Sequence, residues 1–209
     1  DQPTRRPDGR PRRAAVRVVI AEDLALLRDG LARLLRDNGF DVVAAVADGD
    51  ALIHAATLER PDIAIVDIRL PPTFRDEGLR AALELLKRLP DTPARARREL
   101  TLLLSLGPSL MDVQGYVAPE VAATYTRALQ LCEQVGETSG LFAVHLGLRI
   151  HYISRAEYSA ARELSERMLR MAADEKDSGL LVEAHSALGV CLFFLGEFAA
   201  GREHLEHAL

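Results

Sequence analysis

Residues 60–82 read RPDIAIVDIRLPPTFRDEGLRAA, and this stretch decides the fold of the first third of the chain. Pro61 breaks whatever precedes it. Ile63–Val66 is a short apolar, β-branched run of the kind a buried parallel strand needs, and it stops on a carboxylate, Asp67. Working towards the N-terminus, Val16–Ala21 (VRVVIA) is a second such run, closed by Glu22–Asp23. Between them lie a helical stretch with Leu27, Leu31, Leu34 and Leu35 on one face, a strand over Asp41–Val46, a turn at Asp48–Gly49 and a helix over Ala51–Glu59. Strand, helix, strand, helix, strand at this spacing predicts βαβ units and a parallel sheet of three strands.

Parallel sheets collect ligands beyond the carboxyl ends of their strands. If the strands ending at Glu22–Asp23 and Asp67 are neighbours, three carboxylates meet in one crevice. Such a group repels itself unless a hard cation sits among its oxygens, and Mg²⁺ suits an all-oxygen set of this kind. Asp67 is then placed as a nucleophile towards a phosphoryl group. Taken singly, each acid has a plainer reading, and Asp23 is equally suited to capping the helix that follows.

Past Pro71–Pro72 the alternation stops. Gly78–Leu89 reads as a helix expected to cover part of the open edge of strand three. Only helices follow, at about 97–106, 119–135, 140–154, 157–173, 180–195 and 197–209. These repeat. A shift of 40 places Leu141 on Leu181, His145 on His185, Leu148 on Leu188, Ala160 on Ala200, and Arg162–Glu163 on Arg202–Glu203. One helical hairpin per period, stacked as a solenoid, is the expected architecture.

The bulk composition agrees. Apolar residues make up 48% of the chain, Trp is absent and aromatics are scarce, so the cores rest on Leu, Val, Ile and Ala. Residues 1–90 are charge-balanced, and 91–209 carry the whole net charge of −5. No basic face fits nucleic acid; the only basic cluster, Arg5 to Arg13, lies in a Pro- and Gly-containing leader (1–14) expected to be disordered. Cys132 and Cys191 are isolated thiols, as in a reducing cytoplasm. No run is long enough to span a membrane, and the leader lacks an A-x-A export site. The chain opens on Asp1 rather than Met, which fits a piece of something longer. No GxSxG, HExxH, GxGxxG or GxxxxGK[ST] occurs, so the chain is expected not to be an enzyme. His204 and His207 share a helical face, but no acidic or third histidine ligand stands at i+4, and the recurrence of His145 at His185 points to packing.

VRVVIAEDLALLRDGLARLL (16–35), GFDVVAAVADGDAL (39–52) and residues 60–82 together resemble the receiver domain of NarL/LuxR-type bacterial response regulators. The resemblance implies a flavodoxin-like α/β fold over 15–82, with Asp67 accepting phosphate from a histidine kinase. It further implies that Glu22, Asp23, Asp67 and the backbone carbonyl of Arg69 hold Mg²⁺. The family adds two more strands, the fourth ending in Ser or Thr and the fifth in Lys. Here the window for that Ser or Thr falls at Arg95–Arg97 in a predicted helix, Ser105 lies too far along, and Lys87 and Lys176 are the only lysines.

GVCLFFLGEFAAGREHLEHAL (189–209) resembles a tetratricopeptide (TPR) unit, with Gly189 and Gly201 as the close contacts between its helices. In the unit 140–179, Arg149 stands where that glycine would and Ala161 keeps the second contact. Residues 83–209 resemble the TPR-like region of large bacterial regulatory ATPase or cyclase proteins. That implies a module for binding a protein or peptide, with an open apolar face able to drive self-association. The expected function is a signalling protein with a phosphoacceptor module and a protein-binding module. Two alternatives are a helical scaffold carrying a silent receiver remnant, and part of a transcriptional regulator whose DNA-binding domain lies outside these residues.

Overall fold

The computed structural model describes residues 15–136, 138 and 140–209, so the basic leader expected over 1–14 lies outside the described residues. The chain divides into two compact units, one running to Arg88 and one from Leu89 to Leu209.

The first unit runs β1 (Arg17–Ala21), α1 (Ala25–Asp37), β2 (Asp41–Val46), α2 (Gly49–Glu59), β3 (Ile63–Val66) and α3 (Glu77–Leu86). Its three strands are parallel in the order β2-β1-β3, with β1 paired on both sides. The central strand alternates its side chains between two layers, as a pleated strand must. Val19 and Ala21 pack with Leu52 of α2, Leu70 and Ala81 of α3. Val18 and Ile20 face the other way onto Ala32 of α1 and Val42. Asp48 caps α2 by accepting from the Ala51 N–H at 2.7 Å.

One expectation is corrected here. On α1, Leu31 and Leu35 pack towards the sheet, but Leu27 is 47% and Leu34 59% exposed. The apolar stripe is wider than the sheet that receives it. On the other side, α3 packs on α2 and reaches β3 in part, as expected: Leu85 and Val66 join one core, while Ile63 and Ala64 of β3 stay exposed.

The second unit holds three helical hairpins: α4 (Pro93–Gln114) with α5 (Pro119–Val135), α6 (Leu141–Ser154) with α7 (Tyr158–Glu175), and α8 (Ser178–Phe194) with α9 (Phe198–His207). Helix α4 is far longer than the expected 97–106. It starts on a Thr92 cap with Pro93 in its first turn and continues through Pro108. That proline removes one i→i−4 hydrogen bond, but burial of Leu103, Leu106, Leu110 and Met111 on either side holds the helix together.

Small residues set the hairpin spacing. A Cβ on Gly189 would lie 2.7 Å from Leu205 Cγ and 2.9 Å from the Gly201 carbonyl, so the two glycines are the close contact that the resemblance to a TPR unit implies. A second contact of this kind was not anticipated. The Tyr125 ring of α5 lies between Gly107 of α4 and Gly147 of α6, where added Cβ atoms would come within 2.4 and 2.2 Å of it. Gly107 and Gly147 are themselves one 40-residue period apart. Arg149 donates to the Ala187 carbonyl at 3.2 Å, and Ala161 is fully buried.

Candidate phosphoacceptor and metal site

Sheet register builds the site. Ala21 at the end of β1 is paired with Val66 at the end of β3, so the next residues, Glu22 and Asp67, emerge side by side. Backbone bonds carry the ladder one step further: the Asp67 N–H donates to the Ala21 carbonyl at 2.9 Å, and the Glu22 N–H to the Val46 carbonyl at 3.0 Å. Both carboxylates are therefore fixed at their roots by a buried strand.

Glu22 is buried, and its Oε1 accepts from the Leu24 N–H at 3.0 Å. Arg28 donates to the carbonyls of Glu22 and Asp23 at 2.6 and 3.1 Å and ties the turn to α1. Asp23 does not cap that helix, since Leu24 holds the N-cap position with no side-chain bond. Oxygens of Glu22, Asp23 and Asp67 come within 4.8 Å of one another. Three carboxylates converging on one point form a hard, all-oxygen donor set that fits Mg²⁺. Arg69 approaches through its N–H, which donates to Asp67 Oδ1 at 3.3 Å.

The loop behind Asp67 is held from α3. An added Cβ on Gly78 would sit 1.8 Å from the Asp67 carbonyl oxygen and 3.1 Å from that of Ile68, and the Gly78 N–H donates to the Ile68 carbonyl at 3.1 Å. Only a residue without a side chain lets the Asp67 loop lie on the start of this helix. Glu77, beside it, accepts from the Thr73 N–H at 3.0 Å, the Thr73 hydroxyl and the Arg75 N–H at 2.9 Å. Burial alone would raise the Glu77 pKa, but the Thr73 hydroxyl and the backbone donors outweigh it and hold the carboxyl at about 2. A depressed carboxyl stabilises the fold above its unfolded pKa of 4.5 and loses that contribution as pH falls towards 2. Unfolding of wild type and Glu77→Gln compared at pH 6 and pH 2.5 should therefore show a gap that closes in acid.

The two further strands that the resemblance implies, ending in Ser or Thr and in Lys, are absent among the described residues. Among the described residues the sheet has three strands, and Arg95–Arg97 lie in α4. Ser105 is also in α4, donating to the Thr101 carbonyl at 3.1 Å. Lys87 ends α3 in an ion pair with Glu84, and Lys176 caps α7 in the second unit.

Comparison with known proteins agrees with this geometry. Residues 18–95 match the response regulator receiver domain. The match runs past Arg88, where the first unit ends, into the start of α4. The receiver-like stretch is 42% identical over 69 residues to the transcriptional regulatory protein PdtaR of Mycobacterium tuberculosis, covering 33% of this chain and 32% of that protein. It is also 42% identical over 65 residues to a protein-glutamate methylesterase/protein-glutamine glutaminase of Anaeromyxobacter dehalogenans, covering 31% of this chain and 19% of that one. Thus the chain spans about a third or less of the length of these relatives. One is a named regulator and the other a named enzyme, so a receiver region does not by itself decide enzymatic activity.

The helices have a structural counterpart in the TPR domain of Arabidopsis FLU. The TM-score is 0.50 at 18% identity, over 54% of this chain and 93% of that one. This likeness concerns fold alone. No helix among the described residues is long and apolar enough to cross a membrane.

Proposed function

We propose that the chain is a two-component signalling protein in which residues 15–82 accept phosphate on Asp67 and residues 83–209 bind a partner protein. The observation that carries this reading is the convergence of Glu22, Asp23 and Asp67 at the ends of adjacent parallel strands. A carboxylate oxygen of Asp67 attacks the phosphorus of a phosphohistidine on a histidine kinase. The P–N bond breaks, the imidazole leaves and takes up a proton, and an aspartyl phosphate forms. Glu22, Asp23, Asp67 and the Arg69 carbonyl would hold Mg²⁺, which when bound neutralises charge on the transferred group. The strand ends and the Gly78 contact keep the nucleophile in place while this happens. VDIRLPP and DEGLRAA support the finer assignment to the NarL/LuxR type, and two buried free thiols support a reducing cytoplasm.

A second reading, a helical scaffold with a silent receiver remnant, is favoured by one observation: the Ser/Thr window and both lysines lie on helices or helix ends. Radiolabelled acetyl phosphate with Mg²⁺ separates the two. The first reading expects an acid-stable, base-labile label on the parent chain that disappears in Asp67→Asn, with circular dichroism showing both folded. A folded parent chain that takes no label leaves the scaffold.

A further inference from the structure

The last hairpin gathers three histidines that no single helix would reveal. His185 lies on α8, His204 and His207 on α9. The Nδ1 atoms of His185 and His204 face each other at 2.9 Å, and the His207 ring stacks on His185 with centroids 5.1 Å apart. We propose that His185, His204 and His207 form a binding site for a divalent late first-row transition ion such as Zn²⁺, separate from the acidic site.

Two neutral imidazoles can face nitrogen to nitrogen only by sharing one proton, which leaves one lone pair directed at the other ring's N–H. When the shared proton moves to Nε2 of its own ring, both Nδ1 lone pairs face the gap, and a metal ion placed there satisfies both with the two rings still neutral. Two nitrogens at tetrahedral zinc distances stand about 3.3 Å apart, so the pair must open by only a few tenths of an ångström. In the structure His207 stacks on His185 and its Nδ1–H donates to the Glu203 carbonyl at 2.7 Å, so its nitrogens do not yet meet those of the pair and it joins as a third ligand by leaving these contacts. Taking up the metal requires the His207 ring to turn out of its stack on His185, which is feasible because His207 is exposed.

Packing alone does not call for these residues. One period earlier, His145 occupies the position of His185, Leu164 that of His204, and Arg167 that of His207. That hairpin closes equally well, with His145 buried and its Nδ1 unpartnered. A leucine and an arginine therefore do the structural work there, and the last hairpin has two more imidazoles instead. Three imidazoles leave an open coordination position for water.

The double variant His204→Leu/His207→Arg copies the preceding hairpin and so should fold. Zn²⁺ titration of the full chain against a competing chelator dye should give one site that this variant loses. His185→Gln should weaken binding by at least the roughly tenfold that loss of even an outer partner costs a metal site. His54→Gln, an exposed lone histidine of the first unit, should change nothing. Imidazole nitrogen resonances of His185, His204 and His207 should move on adding Zn²⁺ while those of His145 stay. Equal Zn²⁺ affinity in the parent and the folded double variant overturns the proposal, and so does binding abolished by Asp67→Asn but untouched by His185→Gln.

Discussion

Gly78→Ala should unfold or loosen the first unit more than any other one-methyl change in it, by about 3 kcal/mol or more. The added methyl would lie 1.8 Å from the Asp67 carbonyl oxygen and 2.8 Å from its carbonyl carbon. Neither atom is at the end of a flexible side chain. The Asp67 N–H is fixed to Ala21 of the buried central strand, so relief requires α3 to lift or the Asp67 loop to move. Either motion displaces the Asp67 carboxylate from Glu22 and Asp23. Gly30→Ala is the matching control, since nothing lies within 4 Å of its added methyl on the exposed side of α1. There alanine should stabilise by about 0.5–1 kcal/mol through helix propensity. Urea unfolding of the three proteins measures both. A Gly78→Ala chain as stable as its parent would mean that the loop does not lie on α3.

The second large effect is expected at Tyr125. Its ring is 4% exposed and lies between Gly107 and Gly147, joining the first hairpin to the second. Tyr125→Ala should cost about 3–5 kcal/mol, the range for emptying a buried aromatic site. Gly147→Ala should cost about 1–3 kcal/mol by overpacking, because a ring confined on both faces cannot swing aside. The two effects should not add. Once the ring is gone the methyl has room, so the double variant should be more stable than the sum of the single losses predicts. Strict additivity in denaturant melts would contradict the wedge.

Much of this was legible beforehand because the signals are local. Val18–Ala21 and Ile63–Val66 read as short apolar strands, and the acids that end them are in place to meet once the strands are adjacent, although Ile63 and Ala64 stay exposed on the edge strand. Register then does the rest, pairing Ala21 with Val66 so that the next residues converge. Gly189 and Gly201 were legible as a contact through the resemblance of 189–209 to a TPR unit. What escaped reading depends on neighbours distant in sequence. Gly107–Pro108 looks like a helix end, yet buried residues on both sides keep α4 continuous. The exposed Leu27 and Leu34 look like core, since an apolar stripe cannot announce how wide a layer will cover it. His185 reaches His204 from another helix, where no i+4 spacing points to it. Residues from Leu83 read as the start of the repeats, whereas Leu85 packs into the receiver-like core and the units divide after Arg88.

The receiver-like half has its acidic site but no further strand beside β3 among the described residues. Signalling through it therefore depends on whether three convergent carboxylates are enough to hold a divalent cation and a phosphoryl group together. Backbone amide shifts during a Mg²⁺ titration, followed by beryllofluoride as a phosphoryl mimic, test this most directly. The account predicts saturable shifts at Glu22, Asp23 and Asp67 through Arg69, with the beryllofluoride step lost in Asp67→Asn. Amides that ignore both additions, or that respond alike in the parent and in Asp67→Asn, would contradict it.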